Sequence, residues 1–518
     1  MKKYFPLFWV FYLLCAFSAH AGEGRYTIPL TGGGWSLWLD KEASWQNDRL
    51  YLPHEITDLS LLPVNVPTGG WQTLSHNPDA VPVEVPGTVE EYLTVTDNPR
   101  PENFRGVSWW YRKITIPADQ QKKRFIIYFE SVRMRAEVYL DGKLVAYDLI
   151  GETPFHVDIT DEAKPGKEQL LAIRVTNPGG NFHWQDFDIM KWGEYNIPPS
   201  RSFTGIIGRV KLESVNPVFI SDIYMQNTPE LTKVNAILSF TNETSSSVKQ
   251  DVELIVNEKG NPDKVVFRQT LKAISFPAGN HEVTIPVNVP DAKLWDLSTP
   301  ELYTCNVLIK KGKKTLDQDK KDFGFRWFTV DGVGKDAVLR LNGRRIMLRS
   351  AISWGYFPVT GLIATTEMAE KQVRTAKSLG LNMLNFHRCI GSPVVLEKAD
   401  ELGLLYYEEP GAFHSANHDP FIRTIVNEKL KRMVYRDRSH PSLVIFNLIN
   451  EFGGPLSQDK ALVAKRMNDM REAHAIDPSR IMSFTSGWAG SEDKEEDSKA
   501  HMLPFDTTLY RKGWYDNH

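Results

Sequence analysis

From about residue 333 onward, short continuous apolar runs alternate with helical stretches, and this rhythm constrains the fold more than any other feature of the chain. The clearest apolar runs are 382–386, 404–407 and 443–446. Ser392-Pro393 is typical of a helix start, and Gly403 is typical of a helix end. Strands that are apolar throughout are buried on both faces of a sheet. The pattern therefore predicts a parallel sheet, most simply a (β/α) barrel.

The helical stretches between these strands each have one apolar face. The first, which ends at Gly380, is predicted to bury Ala369, Val373, Ala376 and Leu379. The one that follows Asp419-Pro420 is predicted to bury Ile422, Val426, Leu430 and Met433.

Polar residues follow each predicted strand. In barrels of this type, catalytic groups stand at the carboxyl ends of the strands. The chain therefore predicts a site for a polar ligand on one rim. The strand ends are Ser353-Trp354, Asn385-Phe386-His387-Arg388, Glu408-Glu409, Asn447 to Glu451, and Thr485-Ser486-Gly487-Trp488.

The preceding part of the chain is predicted to be all-β. In 22–216, short apolar strands are separated by Gly/Pro turns, and Asp141-Gly142 is a strong hairpin signal. This pattern is typical of a sandwich or jelly roll. In 217–331, Val252, Leu254 and Val256 alternate with polar residues, as they do in an immunoglobulin-like sandwich.

The first residues have the features of a secretory signal peptide. Lys2 and Lys3 precede an apolar run, and Ala19-His20-Ala21 fits the cleavage pattern, so we expect removal of residues 1–21. The protein is then expected in the periplasm or outside the cell, with no membrane partner in its mature form. Lipid attachment at Cys15 is less favoured because Leu14 precedes it.

Charge and cysteine content exclude some classes of partner. A net charge of −3 provides no basic surface for nucleic acid. Of the three cysteines, Cys305 and Cys389 remain in the mature chain, in different predicted units, so no disulfide is expected.

One run of residues is specific to a family. Arg436 to Ser442, followed by an apolar strand and Asn450-Glu451, resembles the acid/base signature of glycoside hydrolase family 2, which includes β-galactosidases, β-glucuronidases and β-mannosidases. The resemblance extends from about residue 30 to the end of the chain. It also rests on Trp109-Trp110-Tyr111-Arg112, Asp141-Gly142, Gly205 to Val210, Gly324-Phe325-Arg326 and Leu341-Asn342-Gly343.

The resemblance implies a domain order and an activity. The domains would be a signal peptide (1–21), a jelly-roll sugar-binding domain (22–216), an immunoglobulin-like β-sandwich (217–331) and the N-terminal part of a (β/α)8 TIM-type barrel (332–518). The activity would be that of a retaining exo-β-glycosidase of the β-galactosidase-like class, which removes terminal β-linked sugars from oligosaccharides or polysaccharides.

The family chemistry assigns roles to two neighbouring residues. Glu451 would be the general acid and then the general base, and Asn450 would bind the sugar 2-hydroxyl. The alternative for Glu451 is an ion-paired carboxylate at the barrel rim.

The family takes its nucleophile from the seventh barrel strand. Residues 333–518 are fewer than the roughly 250 of a complete barrel, so we expect an incomplete barrel, an unassigned nucleophile and a chain that is inactive by itself. Glu408 and Glu409 are too far around the rim to replace it, and nothing marks Asp506, after a presumed sixth strand, as a nucleophile. A non-catalytic carbohydrate-binding protein, or a pseudoenzyme fragment, is the alternative function.

Five further residues are candidates for substrate binding, each with a structural alternative. His387 and Arg388 either bind substrate hydroxyls or a carboxylate, or orient Glu409 or Glu451. Asp186 either reaches the substrate or caps its own turn. Trp354 and Trp488 either stack on sugar or pack in the core.

Departures from the galactosidase branch bear on metals and on the sugar. That branch has a magnesium-binding Glu a few residues after the position of Glu409, where this chain has Ala412-Phe413-His414. We therefore expect no metal and no cofactor. Phe446 and Ser439 also differ from the Trp and Asn of many members. The sugar is not defined, and a homo-oligomer stays open.

Overall fold

The computed structural model describes most of the chain. It covers 24–93, 104–179, 189–198, 203–331, 338–357, 361–413, 419–452 and 459–486, and the backbone of 501–503 and 507–508.

Two antiparallel sheets form the first β-sandwich. Apolar side chains from both sheets, among them Trp110, Ile127, Ile173 and Leu212, fill the space between them. The Asp141-Gly142 hairpin is present, and both residues have positive φ, as a tight two-residue turn requires. The six-stranded sheet has the order Val81–Val85, Gly32–Asp40, Gly106–Thr115, Glu168–Asn177, Arg135–Leu140, Lys143–Asp148, and the four-stranded sheet has the order Tyr26–Pro29, Val210–Val215, Arg124–Phe129, Phe155–Asp158.

Smaller elements complete this jelly roll. They are the three-stranded sheet Gly87–Thr88, Gly205–Ile206, Val132–Arg133, the hairpin Met190–Trp192 with Tyr195–Ile197, the short helix Val89–Tyr92, and the 3-10 turns Pro53–Glu55, Leu59–Leu61, Trp71–Ser75 and Ala118–Gln120.

The second sandwich has seven strands, as in an immunoglobulin-like domain. Val252, Leu254 and Val256 alternate into its core, as predicted from their spacing. One sheet contains Val218–Asn227, Lys233–Asn242 and Gly279–Asn288, and the other contains Val265–Phe276, Val248–Glu258, Tyr303–Lys311 and Lys314–Phe323. A small sheet of Phe328–Asp331, Val338–Leu341 and Arg344–Arg345 leads into the barrel.

In the described residues between 350 and 486, five parallel strands alternate with four helices, which confirms the predicted TIM-type barrel architecture. The first to fifth barrel strands are Ser350–Ser353, Met383–Phe386, Leu405–Glu408, Leu443–Asn450 and Ile481–Ser486, and the first to fourth barrel helices are Thr366–Ser378, Pro393–Leu402, Pro420–Asp437 and Lys460–Ile476.

The presumed sixth parallel strand is not what the structure shows. His501–Leu503 pairs with the fifth barrel strand in the antiparallel direction. Thr507–Thr508 then pairs with His501–Leu503, also in the antiparallel direction. Because both pairings are antiparallel, neither segment is a sixth parallel barrel strand. Asp506 lies outside the described residues.

Helix ends explain where the barrel helices begin and stop. Asp419 accepts hydrogen bonds from the backbone N–H groups of Phe421 and Ile422, and Asp459 caps the fourth barrel helix in the same way. Gly403 ends the second barrel helix with a φ of 74°. This left-handed backbone conformation is disfavoured for residues that have a side chain. The prediction for Leu379 was wrong: it lies beyond the last turn of its helix and is exposed.

Polar contacts join the sandwiches to the barrel. Lys429 and Arg432 of the third barrel helix pair with Glu152 (2.9 Å) and Asp148 (2.7 Å) of the jelly roll. Burial lowers the pKa of Lys429 to about 7. From the immunoglobulin-like side, the fully buried Arg326 donates to the carbonyl oxygens of Pro441 (3.1 Å) and Leu443 (2.8 Å). The fourth barrel strand therefore starts against the second sandwich.

Gly324 allows this close approach. A Cβ built there would lie 2.8 Å from Trp295 Cβ and 3.1 Å from Pro441 Cβ. Gly324→Ala is therefore expected to cost about 1–3 kcal/mol of the free energy of unfolding through overpacking, measured by urea denaturation. Gly33→Ala is the control, because nothing lies within 4 Å of its built Cβ. Equal stabilities of the two variants would contradict the tight junction.

Within the parts of the chain that the structure describes, no helix combines the length and apolarity needed to cross a bilayer.

Candidate active site

Glu451 follows the last residue of the fourth barrel strand. Its backbone N–H donates to the Ser486 carbonyl oxygen (2.9 Å), which fixes it against the end of the fifth strand. Its φ is 51°, a left-handed value that costs free energy in a residue other than glycine. The side chain is 29% exposed. Glu451 is thus a carboxylate held at a rigid strand end with access to solvent.

Arg388 is the cationic neighbour of Glu451. Its Nη2 lies 3.3 Å from Glu451 Oε2, and its Nε donates to Asn450 Oδ1 (2.7 Å). Its guanidinium carbon lies 3.7 Å from the centre of the Phe413 ring, a cation–π contact. Its own φ is 54°. Arg388 and Glu451 therefore share both an ion pair and a left-handed backbone, and such strain is concentrated at functional sites.

Asn450 is almost fully buried, and its side chain is occupied by protein partners. Its Nδ2 donates to the Ser486 carbonyl oxygen (3.1 Å) and to Ser486 Oγ (3.0 Å), while its Oδ1 accepts from Arg388. An amide oxygen has two lone pairs. The predicted contact with a sugar 2-hydroxyl stays a prediction, and it would use the second lone pair of Oδ1.

Glu409 lies beneath these residues and is fully buried. It accepts hydrogen bonds from Tyr407 Oη (2.8 Å), Ser486 Oγ (2.7 Å) and the Arg388 backbone N–H (3.0 Å). Burial raises the pKa of Glu409, but the His387 imidazole 3.6 Å away and these donors outweigh burial, and its pKa is lowered. Glu409 is therefore a buried carboxylate kept in its charged form.

The preceding Glu408 belongs to a different network. It accepts from the Gly391 backbone N–H (2.7 Å), and Arg436 Nη2 lies 3.4 Å away. Burial and then the neighbouring Asp437 carboxylate raise its pKa well above the ordinary value. The pKa values of two adjacent buried glutamates are thus shifted in opposite directions because the side chains face different partners.

The residues of the sequence signature that precede the fourth strand form a scaffold rather than the site itself. Arg436 binds the fully buried Asp437 through both Nε and Nη2, and Asp400 accepts from the Ser442 backbone N–H (2.9 Å) while its other oxygen contacts His440 Nδ1 (2.5 Å). These bonds anchor the start of the strand that carries Asn450 and Glu451 at its other end. These signature residues therefore fix the position of the site by anchoring the far end of the strand that carries it.

The other predicted site residues divide into those that the structure brings together and those it does not describe. His387 lies edge-on to Trp354, with ring centroids 4.6 Å apart, and Trp354 also lies 5.7 Å from the Arg388 guanidinium carbon. His387 Nδ1 lies 3.6 Å from Glu409 Oε1 and Arg388 pairs with Glu451, while substrate binding and orientation both stay predictions for these two residues. Asp186 and Trp488 lie outside the described residues.

Sequence reasoning gave no role to Ser486 or Phe413, although both contact site residues. The available signal for Ser486 was its place among the polar residues at the end of the fifth barrel strand. No signal marked Phe413, because an aromatic residue after a strand is usually core.

The jelly roll also reaches this end of the barrel. A cavity of about 60 Å³ beside the site is lined by Arg388, Cys389 and Phe413 of the barrel and by Glu130 and Ser131 of the jelly roll. The first sandwich therefore forms part of the wall next to the candidate site.

Among the described residues, no three His, Cys, Asp or Glu side chains are arranged to hold a metal ion. The segment where the galactosidase branch has its magnesium-binding Glu includes Ala412 and Phe413, whose side chains carry no oxygen ligand.

The chain matches three domain models of one family. Residues 33–196 match the sugar binding domain of glycosyl hydrolases family 2, 218–326 match glycosyl hydrolases family 2, and 335–514 match the family's TIM barrel domain.

Known proteins agree with this match. A putative β-glucuronidase of Formosa agariphila is 25% identical over 95% of this chain and 56% of its own length. A β-galactosidase of Thermoanaerobacterium thermosulfurigenes is 30% identical over 70% of this chain and 49% of its own. A solved family 2 structure from Bacteroides cellulosilyticus has a TM-score of 0.71 at 19% identity, over 92% of this chain and 57% of that one, and shows the fold alone.

The chain thus spans about half the length of the curated relatives it matches. The three family matches follow one another in the order of the two sandwiches and the barrel, and the acid/base signature lies within the third. The chain belongs to glycosyl hydrolase family 2.

Proposed function

We propose that the protein is a retaining β-glycosidase in which Glu451 is the acid/base residue. The observation that carries this proposal is the position of Glu451: a partly exposed carboxylate with left-handed backbone at the end of the fourth barrel strand, in contact with Arg388 and next to Asn450. In barrels of this type, the strand ends are where catalysis occurs.

The chemistry follows from that position. As the glycosidic bond breaks, the Glu451 carboxyl group gives its proton to the leaving oxygen, while a second carboxylate forms a bond to the anomeric carbon. In the next step, Glu451 takes a proton from water, and the water oxygen replaces that second carboxylate on the sugar. Partial exposure of Glu451 suits a group that must exchange protons with both a leaving alcohol and water.

The substrates to test first follow from the relatives. The relatives are named putative β-glucuronidase and β-galactosidase. Terminal β-glucuronides and β-galactosides of oligosaccharides or polysaccharides are therefore the first candidates. Arg388 is a cation next to Glu451, and a uronate carboxylate is the substrate group of opposite charge.

A second candidate function, non-catalytic carbohydrate binding, is favoured by the carboxylates at the described strand ends. A retaining mechanism needs two carboxylates roughly 5–5.5 Å apart. Among the described strand-end residues, Glu451 has solvent access, whereas Glu408 and Glu409 are fully buried and engaged in hydrogen bonds. The nucleophile stays unassigned, and the expectation that the chain is inactive by itself stays a prediction.

One assay separates the two functions. The purified protein is incubated with a panel of aryl β-glycosides, beside a Glu451→Gln variant with the same melting temperature. Hydrolysis that the variant lacks supports the glycosidase. Sugar binding by calorimetry without hydrolysis, from folded protein, supports the binding function and contradicts the catalytic one.

We further propose that the protein is secreted after removal of residues 1–21, on the strength of the basic start, the apolar run and the Ala19-His20-Ala21 site. N-terminal sequencing of the protein exported by a bacterial host should then begin at Gly22. An N-terminus that retains Lys2 and Lys3 would contradict this.

A further inference from the structure

A closed ring of hydrogen bonds joins the ends of four successive barrel strands. Glu409, after the third strand, accepts from the Arg388 backbone N–H after the second and from Ser486 Oγ on the fifth. Ser486 Oγ accepts from Asn450 Nδ2 on the fourth strand (3.0 Å). Arg388 Nε donates to Asn450 Oδ1 and so closes the ring.

Glu409 is the anion of this ring. A carboxylate only accepts hydrogen bonds, so every polar contact around it must be a donor. Tyr407 Oη and Asn385 Nδ2 (3.4 Å) add two further donors to Oε1, and Arg388 N–H occupies Oε2. Hydrogen bonds to a charged group are stronger than those between neutral groups. The ring is therefore held most firmly at Glu409.

Both residues that the ring holds contact Glu451 or precede it in the chain. Arg388 pairs with Glu451 Oε2, and Asn450 is its neighbour in sequence. Left-handed backbone at Arg388 and Glu451 persists only if surrounding contacts impose it. The bond from Glu409 to the Arg388 backbone N–H is such a contact, because it acts on the strained peptide itself.

We propose that Glu409 is a positioning residue, whose carboxylate places Arg388 and Asn450 and, through them, the carboxyl group of Glu451. This rests on the proposed glycosidase function only for its kinetic consequence. Glu409 does not touch substrate, since it is fully buried beneath the two side chains that it orients.

Glu408 provides a matched control. It is the preceding residue and equally buried, and it bonds to Gly391 N–H rather than to the ring. Glu408→Gln preserves the shape of the side chain and keeps an oxygen that can accept from the Gly391 N–H, and it leaves every bond of the ring untouched. Glu409→Gln preserves shape but replaces an acceptor by an NH2 group that meets the ring's donors.

Crystal structures of the two variants test the proposal without any need for turnover. In Glu409→Gln, the Arg388 Nε to Asn450 Oδ1 distance is expected to exceed 3.5 Å, beyond hydrogen-bond range, and in Glu408→Gln it is expected to stay at 2.7 Å. An unchanged ring in Glu409→Gln would overturn the proposal.

Two further variants cover a failure to fold. Ser486→Ala removes the hydroxyl that links Glu409 to Asn450, so the Asn450 amide keeps its bond to the Ser486 carbonyl oxygen but loses its link to the Glu409 carboxylate, while Arg388 keeps its backbone bond to Glu409. Glu409→Asp keeps the charge and should recover part of the ring. The loss of the link through Ser486 should lengthen the Arg388 Nε to Asn450 Oδ1 distance from 2.7 Å, and an unchanged distance in both Ser486→Ala and Glu409→Gln would show that the proposal is wrong.

The kinetic constants kcat and KM distinguish a positioning role of Glu409 from a purely structural one. In Glu409→Gln, kcat is expected to fall about 100-fold, as for a misplacement of about 1 Å, with a smaller change in KM, and Glu408→Gln should match the parent. Equal kcat losses in the two variants would contradict a specific role for Glu409. If the parent hydrolyses no glycoside but the ring moves in Glu409→Gln, the proposed function fails and the positioning role stands.

Discussion

Glu451→Ala is expected to lower kcat/KM for β-glycosides with poor leaving groups by about 10²–10⁴-fold, the usual contribution of general acid–base catalysis. Glycosides with an activated leaving group such as 2,4-dinitrophenol need no proton, so their first step should be nearly unaffected. The second step still needs a base for water and should become rate-limiting. The measurement is kcat/KM and kcat across a series of aryl glycosides of graded leaving-group pKa.

The same variant offers a chemical signature of the second step. Azide needs no general base, so it should attack the sugar that is bonded to the second carboxylate. Turnover should then be restored, with a β-glycosyl azide as the product. Glu428→Ala is the control, because Glu428 is a barrel carboxylate that is paired with Arg432 on a helix, away from the strand ends. Equal losses for good and poor leaving groups, without azide rescue, would show that Glu451 is not the acid/base residue.

Asp477→Ala is expected to cost about 3–5 kcal/mol of the free energy of unfolding, because it leaves Arg480 charged and buried without its partner. Asp477 is fully buried, pairs with Arg480 and accepts from Tyr224 Oη of the immunoglobulin-like sandwich (2.5 Å). Arg480 in turn donates to the carbonyl oxygens of Leu443 (2.8 Å) and His440 (2.7 Å). The measurement is urea denaturation followed by tryptophan fluorescence.

The pH dependence of that loss has a defined sign. Burial raises the pKa of Asp477, but Arg480, Ser479 and Tyr224 outweigh burial and lower it. A depressed pKa stabilises the folded state above the unfolded value of about 3.9, and this stabilisation is lost as pH falls through the folded value. The difference between parent and variant should therefore be full at pH 7 and shrink in strong acid.

An exposed pair of the same residue types is the control. Asp331 accepts from Arg340 Nε at 2.9 Å, but Asp331 is 61% exposed. Asp331→Ala should change stability by no more than about 1 kcal/mol, because solvent screens the pair. Similar losses in Asp331→Ala and Asp477→Ala would contradict the view that burial decides the cost.

The order of elements was readable from local patterns. Asp141-Gly142 adopts the predicted hairpin turn, Gly403 ends its helix, and Ile422 and Val426 are buried as their spacing predicts. These features depend on backbone preference and on period, which are local properties. The predicted burial of Leu379 was wrong because helical spacing does not indicate where the last turn of a helix ends.

Motif resemblance also picked out Asn450 and Glu451, at the end of the fourth strand where the structure places them. It did not reveal what the rest of the signature does. Arg436, Asp437 and His440 form buried pairs that hold the start of that strand, a role visible only when their partners are in place.

Tertiary structure alone decided the chemistry around the site. The sequence shows Glu408 and Glu409 as identical neighbours, yet alternation along an extended segment sends one toward Asp437 and the other toward Ser486, His387 and Arg388. The antiparallel pairing of His501–Leu503 could not be predicted from the sequence either, because an apolar run does not indicate the direction in which a strand will pair. The pKa of a buried carboxyl group and the direction of a strand depend on residues distant in sequence, whereas helix, turn and burial patterns depend on neighbours.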